Sequence, residues 1–425
     1  MDIEALMNRM KTKARNYLGS DIWIKQIIPK SFRRLFSGRV MNALETRTEP
    51  PLPYEPGAFP PGINLYGFFK AENGLGQAVK LLAGALDESN IPHVLINTDF
   101  LDWLPQNDTT FDQRLMKQNL YAVNVIHVNP DQWQEACGVF PRNQFDRHYN
   151  IGVWLWELEK IPGDWIPVLE YVDEVWVPSE FIGRALRKVT DKPITVIPYG
   201  LTTPYDTGIR RADFGLSEDD FLVLIMYDSN SYASRKNPGA AIEAFREAFG
   251  EKPERAKLVI KISNPKQEDI DFVENRLDSN SYILITGRLE RKSLNSLIRL
   301  CDVYLSLHRA EGFGLVMAEA MNLGTPCVVT NWSANTEFMT EESACMVDYT
   351  LIPVNGKYRC DDGTMRWAEP NVHTAADFLK RLHDDPDYYR DKADRGKELI
   401  RQRLSKKACA EAIRQRTDTI LGSDT

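Results

Sequence analysis

The stretch HRAEGFGLVMAEAMNLGTP, residues 308–326, follows the apolar run CDVYLSLH at 301–308. It places Glu311 directly before a glycine turn and Glu319 within the helical pattern that follows. A strand that runs through a tight turn into a helix is typical of a doubly wound α/β sheet, whose ligands bind at the carboxyl ends of the strands. The stretch therefore predicts a parallel sheet with a ligand-binding turn at its edge.

The glycine turn has the chemistry of an anion and sugar site. Phe313, Gly314 and Leu315 would present free backbone N–H groups at a helix start, where the helix dipole also favours an anion. Glu311 can accept hydrogen bonds from sugar hydroxyls, and Glu319 can bind a vicinal diol such as a ribose. The turn would then hold the hexose, phosphate and ribose of a nucleotide-sugar in order. The alternative is an ordinary strand-to-helix turn in which Glu319 only aids solubility.

Two cations are predicted at the mouth of the same sheet. Arg235 and Lys236, in SRKNP at 234–238, follow the apolar strand FLVLIMYD and open the next helix. They can neutralise a diphosphate; the alternative is a solvated helix start, although two cations there oppose the helix dipole. Lys261 interrupts the strand LVIKIS near its carboxyl end and is a further candidate for this site.

The first half of the chain supplies weaker candidates. Gly74 and Gly76 lie in NGLGQ after the strand INLYGFF, and they form either a glycine loop near a phosphate or a simple helix start. His127 ends the strand in VIHVN and is either a packed residue or a group that faces a ligand. Glu157 and Glu159, in WLWELEKIP, either line an acceptor side or are solvated.

Length and composition limit the class of protein. The chain has 425 residues, which predicts two domains, and its hydrophobic and charged fractions of 43% and 26% are those of a soluble globular protein. Its net charge of -8 argues against a nucleic-acid partner. Six cysteines without a CxxC pair favour reduced thiols in the cytoplasm over disulfides or a zinc site. The longest apolar runs are strand-sized, so we expect no transmembrane helix.

Alternating strand and helix patterns predict two α/β domains that face a central cleft. Residues 1–62 form a basic extension followed by a proline-rich linker, TEPPLPYEPGAFPPG at 48–62. Residues 63–201 are predicted to be a first Rossmann-like domain. Residues 202–385 are predicted to be a second such domain, and residues 386–425 a helical tail.

These motifs together resemble one family. The pair Glu311 and Glu319 with seven residues between them resembles the Glu-x7-Glu motif of retaining glycosyltransferases of family 4, which have the GT-B fold. The resemblance extends through SRKNPGAAIEAF, YNIGVWLWELEKIP, DEVWVPSEF and VIPYG, and so covers residues 63 to about 421. Many members carry an arginine several residues before the lysine, where this chain has YDSNSYAS.

The resemblance implies roles at matching positions. Glu311 corresponds to the glutamate near the donor sugar, and Glu319 to the one that binds ribose. Arg235 and Lys236 match the diphosphate-binding cations, and Gly74 and Gly76 the glycine loop of the first domain. His127 matches a histidine that faces the reacting sugar.

The resemblance further implies a metal-independent, retaining transferase of surface polysaccharide synthesis that needs no cofactor. GDP-mannose is the first donor expected, because SRKNP is most similar to mannosyltransferases, and a UDP-sugar is the second. The acceptor would be a saccharide or a lipid-linked saccharide, at the cytoplasmic face of a membrane. The alternatives are a phosphorylase or nucleotide-sugar epimerase of the same architecture, or a non-catalytic adaptor that binds a nucleotide-sugar or a partner.

The basic extension predicts contact with an anionic membrane. Residues 1–40 carry nine basic and three acidic residues, a charge of +6, so the remainder of the chain carries -14. Each basic residue near an anionic surface contributes about 1 kcal/mol, and Trp23 and Phe32 would add an apolar contribution. The alternative is an extension that packs on the body of the protein with a solvated basic face.

We expect the full chain to bind anionic vesicles in a salt-sensitive manner, and a variant without residues 1–40 to lose that binding. Vesicle flotation of the two proteins at low and high salt measures the difference. Equal flotation of both, or of neither, would show that the extension does not engage a membrane.

Overall fold

The computed structural model describes residues 50–101, 106–133, 142–354 and 363–422, together with Ala136, Phe140 and Tyr358. The basic segment 1–40, for which membrane contact is expected, lies outside these residues. None of the described helices is both long and apolar enough to cross a membrane.

The first domain is built on a six-stranded parallel sheet in the order β2-β1-β3-β4-β5-β6. Its strands are β1 Ile63–Gly67, β2 His93–Asn97, β3 Val123–Ile126, β4 Tyr149–Val153, β5 Glu174–Val177 and β6 Ile194–Val196. Helix α1 spans Gly74–Ser89 and helix α2 spans Glu180–Leu186. Every residue of β1 and β3 is buried, which is why these strands are continuous apolar runs rather than alternating ones.

Three buried asparagines interrupt those apolar runs and link neighbouring strands. Asn64 donates from its amide to Asn124 at 2.9 Å, and Asn124 donates to Asn150 at 2.8 Å. Each is the second residue of its strand, in β1, β3 and β4 respectively. A register shift of one residue would leave these buried amides unpaired, so the ladder specifies the pairing of the three strands.

The second domain repeats the architecture with the strand order β12-β11-β10-β7-β8-β9. Its strands are β7 Phe221–Asp228, β8 Ala256–Ser263, β9 Tyr282–Thr286, β10 Val303–Ser306, β11 Cys327–Thr330 and β12 Cys345–Val347. Its helices are α3 Ala233–Lys236, α4 Pro238–Phe249, α5 Gln267–Glu274, α6 Arg291–Leu300 and α7 Leu315–Leu323. An antiparallel hairpin follows, of β13 Tyr349–Pro353 and β14 Arg366–Pro370. The predicted fold of two Rossmann-like α/β domains is thus confirmed.

Three helices end the described chain: α8 Val372–Asp384, α9 Pro386–Arg403 and α10 Lys406–Leu421. Helix α9 packs against α7 of the second domain, but α10 packs against α1 of the first. The Arg416 guanidinium of α10 forms an ion pair with the fully buried Glu174 carboxylate of β5, with a nitrogen–oxygen distance of 2.7 Å. The predicted helical tail is therefore divided between the two domains, and the chain crosses between them twice.

The two domains meet closely at the glycine turn. The Ser179 hydroxyl donates to the Gly312 carbonyl oxygen at 2.7 Å. The Glu337 carboxylate accepts from the backbone N–H groups of Glu180 and Phe181, at the start of α2, at 2.8 and 2.7 Å. A Cβ atom on Gly312 would lie only 2.5 Å from the carbonyl oxygen of Trp156. A glycine is required at position 312 because two backbones from different domains approach there.

We expect Gly312→Ala to lower the free energy of urea unfolding by about 1–3 kcal/mol, because the new methyl group must push the backbones apart. Gly163→Ala is the matched control, since a Cβ there would meet no atom within 4 Å. An equal loss in both variants would contradict the close approach at Gly312.

Candidate functional site

The cations and the first glutamate predicted from separate motifs form one cluster. Glu311 follows β10, and one of its carboxylate oxygens lies 3.0 Å from the Arg235 guanidinium and 2.5 Å from the Lys236 ammonium. Arg235 and Glu311 are 5% and 9% exposed. The parallel arrangement of β7 and β10 brings the two motifs together, because both strands end at the same edge of the sheet.

The two cations determine the charge of Glu311. Burial alone would raise the pKa of this carboxyl group, but the charges of Arg235 and Lys236 outweigh burial and lower the pKa to about 2. Burial acts against the charged form of Arg235 too, and the carboxylates of Glu311 and Glu157 raise the Arg235 pKa despite it. Glu311 and Arg235 are therefore both ionised at neutral pH.

A second carboxylate, from the first domain, reaches the same arginine. Glu157 lies 3.6 Å from Arg235, and the Tyr358 hydroxyl donates to Glu157 at 3.1 Å. The sequence offered Glu157 only as an acceptor-side or solvated residue, with no indication of its partner. Arg235 consequently joins the domains as well as balancing Glu311.

The glycine turn has the geometry expected for an anion site. Helix α7 begins at Leu315, and Gly314 before it has a φ of 93°, a left-handed conformation that favours glycine. Within the described chain, no hydrogen bond occupies the N–H groups of Phe313, Gly314 or Leu315. The Phe313 ring is buried against Tyr199, with the centroids 5.0 Å apart. The backbone, not the Phe313 side chain, is what the turn presents.

Glu319 is fully buried on α7, so the alternative of a solvent-exposed glutamate is wrong. One of its oxygens pairs with Arg291 at the start of α6. The other oxygen, Oε2, has no hydrogen-bond partner among the described residues. Burial raises the pKa of Glu319, and Arg291 partly counteracts that rise.

The two predicted glycines differ in what surrounds them. A Cβ on Gly76 would lie 2.1 Å from the Ala71 carbonyl oxygen, whereas a Cβ on Gly74 would meet nothing within 4 Å. The Gly76 N–H donates to the Asn73 side chain at 2.9 Å, so it is used within the protein. Close packing explains Gly76, and Gly74 is the position with space for a ligand.

His127 and Lys261 are both buried polar groups. His127 lies 3.5 Å from the Tyr199 hydroxyl, its Nδ1 atom has no described partner, and burial lowers its pKa to about 4. It is therefore neutral at pH 7 and is connected to the glycine turn through Tyr199 and Phe313. The Lys261 ammonium donates to the Ser263 hydroxyl at 2.5 Å, and burial lowers its pKa. No described contact joins Lys261 to the Glu311 cluster.

Arg309 positions the cations and was not anticipated from the sequence, although it lies only two residues before Glu311. Its guanidinium bonds Glu369 at 2.7 and 3.0 Å and donates to the Ser234 carbonyl oxygen at 2.6 Å. Its backbone N–H donates to the Arg235 carbonyl oxygen at 2.8 Å. Arg309 thus holds helix α3 against the end of β10.

A cavity of about 180 Å³ lies between the domains beside Arg235. Aromatic side chains from both domains line it: Trp156, Tyr232 and Tyr358. Tyr232 is 43% exposed and has a φ of 51°. Its ring packs against that of Tyr358, with the ring centroids 4.9 Å apart. A left-handed aromatic residue is strained, and such strain is concentrated at functional sites. No sequence signal joined these three residues, which are widely separated in the chain.

Comparison with known proteins finds similar glycosyltransferases. Residues 223–355 match the family model described as "Glycosyl transferases group 1". The uncharacterized glycosyltransferase YqgM of Bacillus subtilis is 22% identical over 240 residues, which are 56% of this chain and 58% of that protein. The matched region therefore spans little more than half of the relative.

Solved structures are similar over most of the chain. Anabaena HepE, crystallised with UDP and glucose, has a TM-score of 0.58 at 14% identity, covering 85% of this chain and all of that one. Sucrose-phosphate synthase of Thermosynechococcus elongatus has a TM-score of 0.63 at 16% identity, covering 86% of this chain and all of that one. The fold is GT-B, and residues 223–355 of its second domain are similar to the glycosyltransferase group 1 family. The ligand roles of individual residues remain predictions.

The ion pairs of Glu311 predict a pH dependence of stability. The pKa of this group falls from about 4.5 to about 2 on folding. Its carboxylate therefore stabilises the protein above pH 4.5, and the contribution is lost as the pH falls towards 2. We expect Glu311→Gln to lower the unfolding free energy by about 3 kcal/mol at pH 7, with a deficit that shrinks below pH 4.5.

Urea unfolding of both proteins across that pH range measures the deficit. Glu159→Gln is the control, because Glu159 is an exposed glutamate two residues from Glu157, the second carboxylate beside Arg235. A deficit for Glu311→Gln that does not change with pH would contradict the assignment.

Proposed function

We propose that the protein is a retaining glycosyltransferase, which moves a hexose from a nucleotide-diphospho-sugar to a saccharide or lipid-linked saccharide. The convergence of Arg235, Lys236 and three backbone N–H groups that have no partner among the described residues, all at one sheet edge, carries the proposal. A diphosphate that binds there replaces Glu311 as the counter-ion of the two cations. The Glu311 carboxylate is then able to accept hydrogen bonds from the hexose hydroxyls.

The leaving group drives the proposed chemistry. The bond between the hexose C1 and the diphosphate oxygen breaks, and the acceptor oxygen bonds to C1 on the same face of the ring. The acceptor hydroxyl proton passes to the departing diphosphate. Arg235, Lys236 and the start of α7 stabilise the negative charge that develops on that diphosphate, which is the largest kind of contribution available to such a site.

Glu319 is proposed to bind the ribose through Oε2, its oxygen without a described partner. Because the carboxylate is fully buried, the ribose reaches it only if Arg291 moves aside. Arg291 has an exposed side-chain fraction of 30%, so this movement needs no rearrangement of the core. His127, neutral and buried, is proposed to face the reacting hexose from the first domain.

The cavity beside Arg235 is proposed to bind the acceptor. Trp156, Tyr232 and Tyr358 offer aromatic surface for a sugar ring, and Glu157 offers a carboxylate for its hydroxyls. The acceptor hydroxyl would then lie next to the diphosphate from which the hexose departs. We further propose that the reaction serves polysaccharide synthesis at the cytoplasmic face of a membrane.

Two donors are proposed, in order. GDP-mannose is first because of the SRKNP motif, and a UDP-hexose is second. The second is supported by solved neighbours, since Anabaena HepE was crystallised with UDP-glucose and the pneumococcal O-GlcNAc transferase GtfA with UDP and GlcNAc. The cations and the helix start replace a metal ion as partners of the diphosphate.

Lys236→Ala tests the diphosphate site. Lys236 is half-buried and its loss leaves Arg235 and Glu311 paired, so the fold should be retained. We expect GDP or UDP to bind the wild-type protein in the presence of EDTA, and the variant to bind at least about tenfold more weakly. Calorimetric titration measures both, with Lys252→Ala as the control for an exposed lysine of the same domain.

Turnover separates the alternatives. Release of nucleotide diphosphate from GDP-mannose or UDP-glucose, together with a glycoside of retained configuration, is the expected result. Conversion of the donor without nucleotide release would instead identify an epimerase, and binding without any turnover would identify an adaptor. Equal nucleotide affinity of Lys236→Ala and Lys252→Ala, or a requirement for a divalent metal, would contradict the proposed site.

A further inference from the structure

A larger cavity, of about 540 Å³, lies at the other ends of the helices that form the candidate site. Helices α6 and α7 begin at Arg291 and Leu315 in that site, and their last residues border this cavity about 13 Å further along α7. We call this cavity the hinge groove, because it lies beside the segments that connect the two domains. The polar and basic residues that line it and are used below are Thr202, Thr203, Arg299, Asn322, Lys397 and Arg401.

The hinge groove is positively charged within an acidic protein. Arg299, Lys397 and Arg401 line it, and none of them has an ion pair with another described residue. The negative charge beside these three cations comes from Asp394 and from the carboxyl ends of α6 and α7. Each helix end is equivalent to about half a negative charge. Roughly one positive charge is left over, while the whole chain carries -8. The helix ends alone therefore do not account for the number of cations.

The uncharged wall of the hinge groove is polar and held in place. The Asn322 amide donates to the Thr203 hydroxyl at 2.9 Å. Asn295 of α6 donates to the Pro204 carbonyl oxygen at 2.7 Å, which fixes the same segment from the other side. Arg299 lies over the Tyr205 ring at 4.7 Å, so this guanidinium is oriented rather than free to turn. Hydroxyl and amide groups in fixed positions suit a ligand with several hydroxyls.

The hinge groove also borders both crossings between the domains. The chain leaves the first domain after β6 through Leu201, whose N–H donates to the Leu404 carbonyl oxygen at 2.8 Å. Leu404 marks the second crossing, three residues after Arg401. A molecule in the groove therefore contacts the two segments on which the relative position of the domains depends.

We propose that the hinge groove binds a saccharide that carries an acidic group, either a phosphate or a carboxylate. Arg299, Lys397 and Arg401 bind the acidic group, and Thr202, Thr203 and Asn322 bind the hydroxyls. The volume is in the range of about 300–1,000 Å³ that is usual for small-molecule sites, and it accommodates a hexose derivative. This site is separate from the donor site and does not depend on the transferase activity.

Calorimetric titration with glucose 6-phosphate, glucuronate and glucose tests the proposal. The titrations are made with and without a saturating mixture of GDP and UDP, which keeps the probes out of the diphosphate site. Arg299→Ala and Arg401→Ala remove groove cations that are exposed, so the fold should be retained. Arg395→Ala is the matched control, since it removes an exposed cation of the same helix α9 whose side chain pairs with Asp391 outside the groove.

We expect at least one acidic probe to bind with the nucleotides present, and glucose not to bind. Each groove variant should weaken that binding by about tenfold, the loss of one charge-assisted contact, and the control should not. The stronger of the two acidic probes identifies phosphate or carboxylate as the group recognised. Absence of binding by both acidic probes, equal binding of glucose, loss of binding when nucleotides are added, or equal losses in Arg401→Ala and Arg395→Ala would each overturn the proposal.

Discussion

The buried guanidinium of Arg235 is the group on which the site and the domain interface both depend. It lies 3.0 Å from Glu311 of the second domain and 3.6 Å from Glu157 of the first. A buried cation without a carboxylate would cost several kcal/mol, so its partners must stay close. Arg309 fixes the backbone beside Arg235, because its guanidinium donates to the Ser234 carbonyl oxygen and also to the Glu369 carboxylate. The position of the cations is therefore determined by a chain of charged contacts rather than by one helix.

The same pairing explains how a site can be highly charged and still be stable. Glu311 pairs with both Arg235 and Lys236 within the protein, and Glu157 adds a second negative charge beside Arg235, which offsets part of the cost of burying that cation. In the proposed function, an incoming diphosphate replaces Glu311 as the partner of the cations and leaves the carboxylate for the sugar. The proposed site favours a ligand that carries hydroxyls as well as an anion, because an anion alone would displace Glu311 from the cations and leave that carboxylate unpaired.

Close contact between the domains accompanies the charge pairing. Gly312 lets its backbone approach Trp156, and Glu337 of the second domain caps the start of helix α2 in the first. Helix α10 returns to the first domain, where Arg416 balances the buried Glu174. The domains are thus joined on the site side by the glycine turn and Arg235, and on the opposite side by the two chain crossings next to the hinge groove.

What the sequence determined by itself was the set of local elements and their chemistry. Continuous apolar runs indicated buried parallel strands. The motif after β10 indicated unpaired N–H groups at the start of α7. The strands and the helix start are both local features, because each depends on residues that are close in sequence. The nearness of Arg235 and Lys236 to Glu311 was also accessible, since parallel strands end at one edge of a sheet.

Only the tertiary structure decided which charges pair. Glu157 and Tyr358 are about 200 residues apart in the chain and meet through the docking of the domains. The packing of α6 against α7 buries Glu319 and pairs it with Arg291, a partner that the sequence did not indicate. Pairings between distant segments depend on burial and on the relative position of the domains, and no local pattern of residues encodes either quantity.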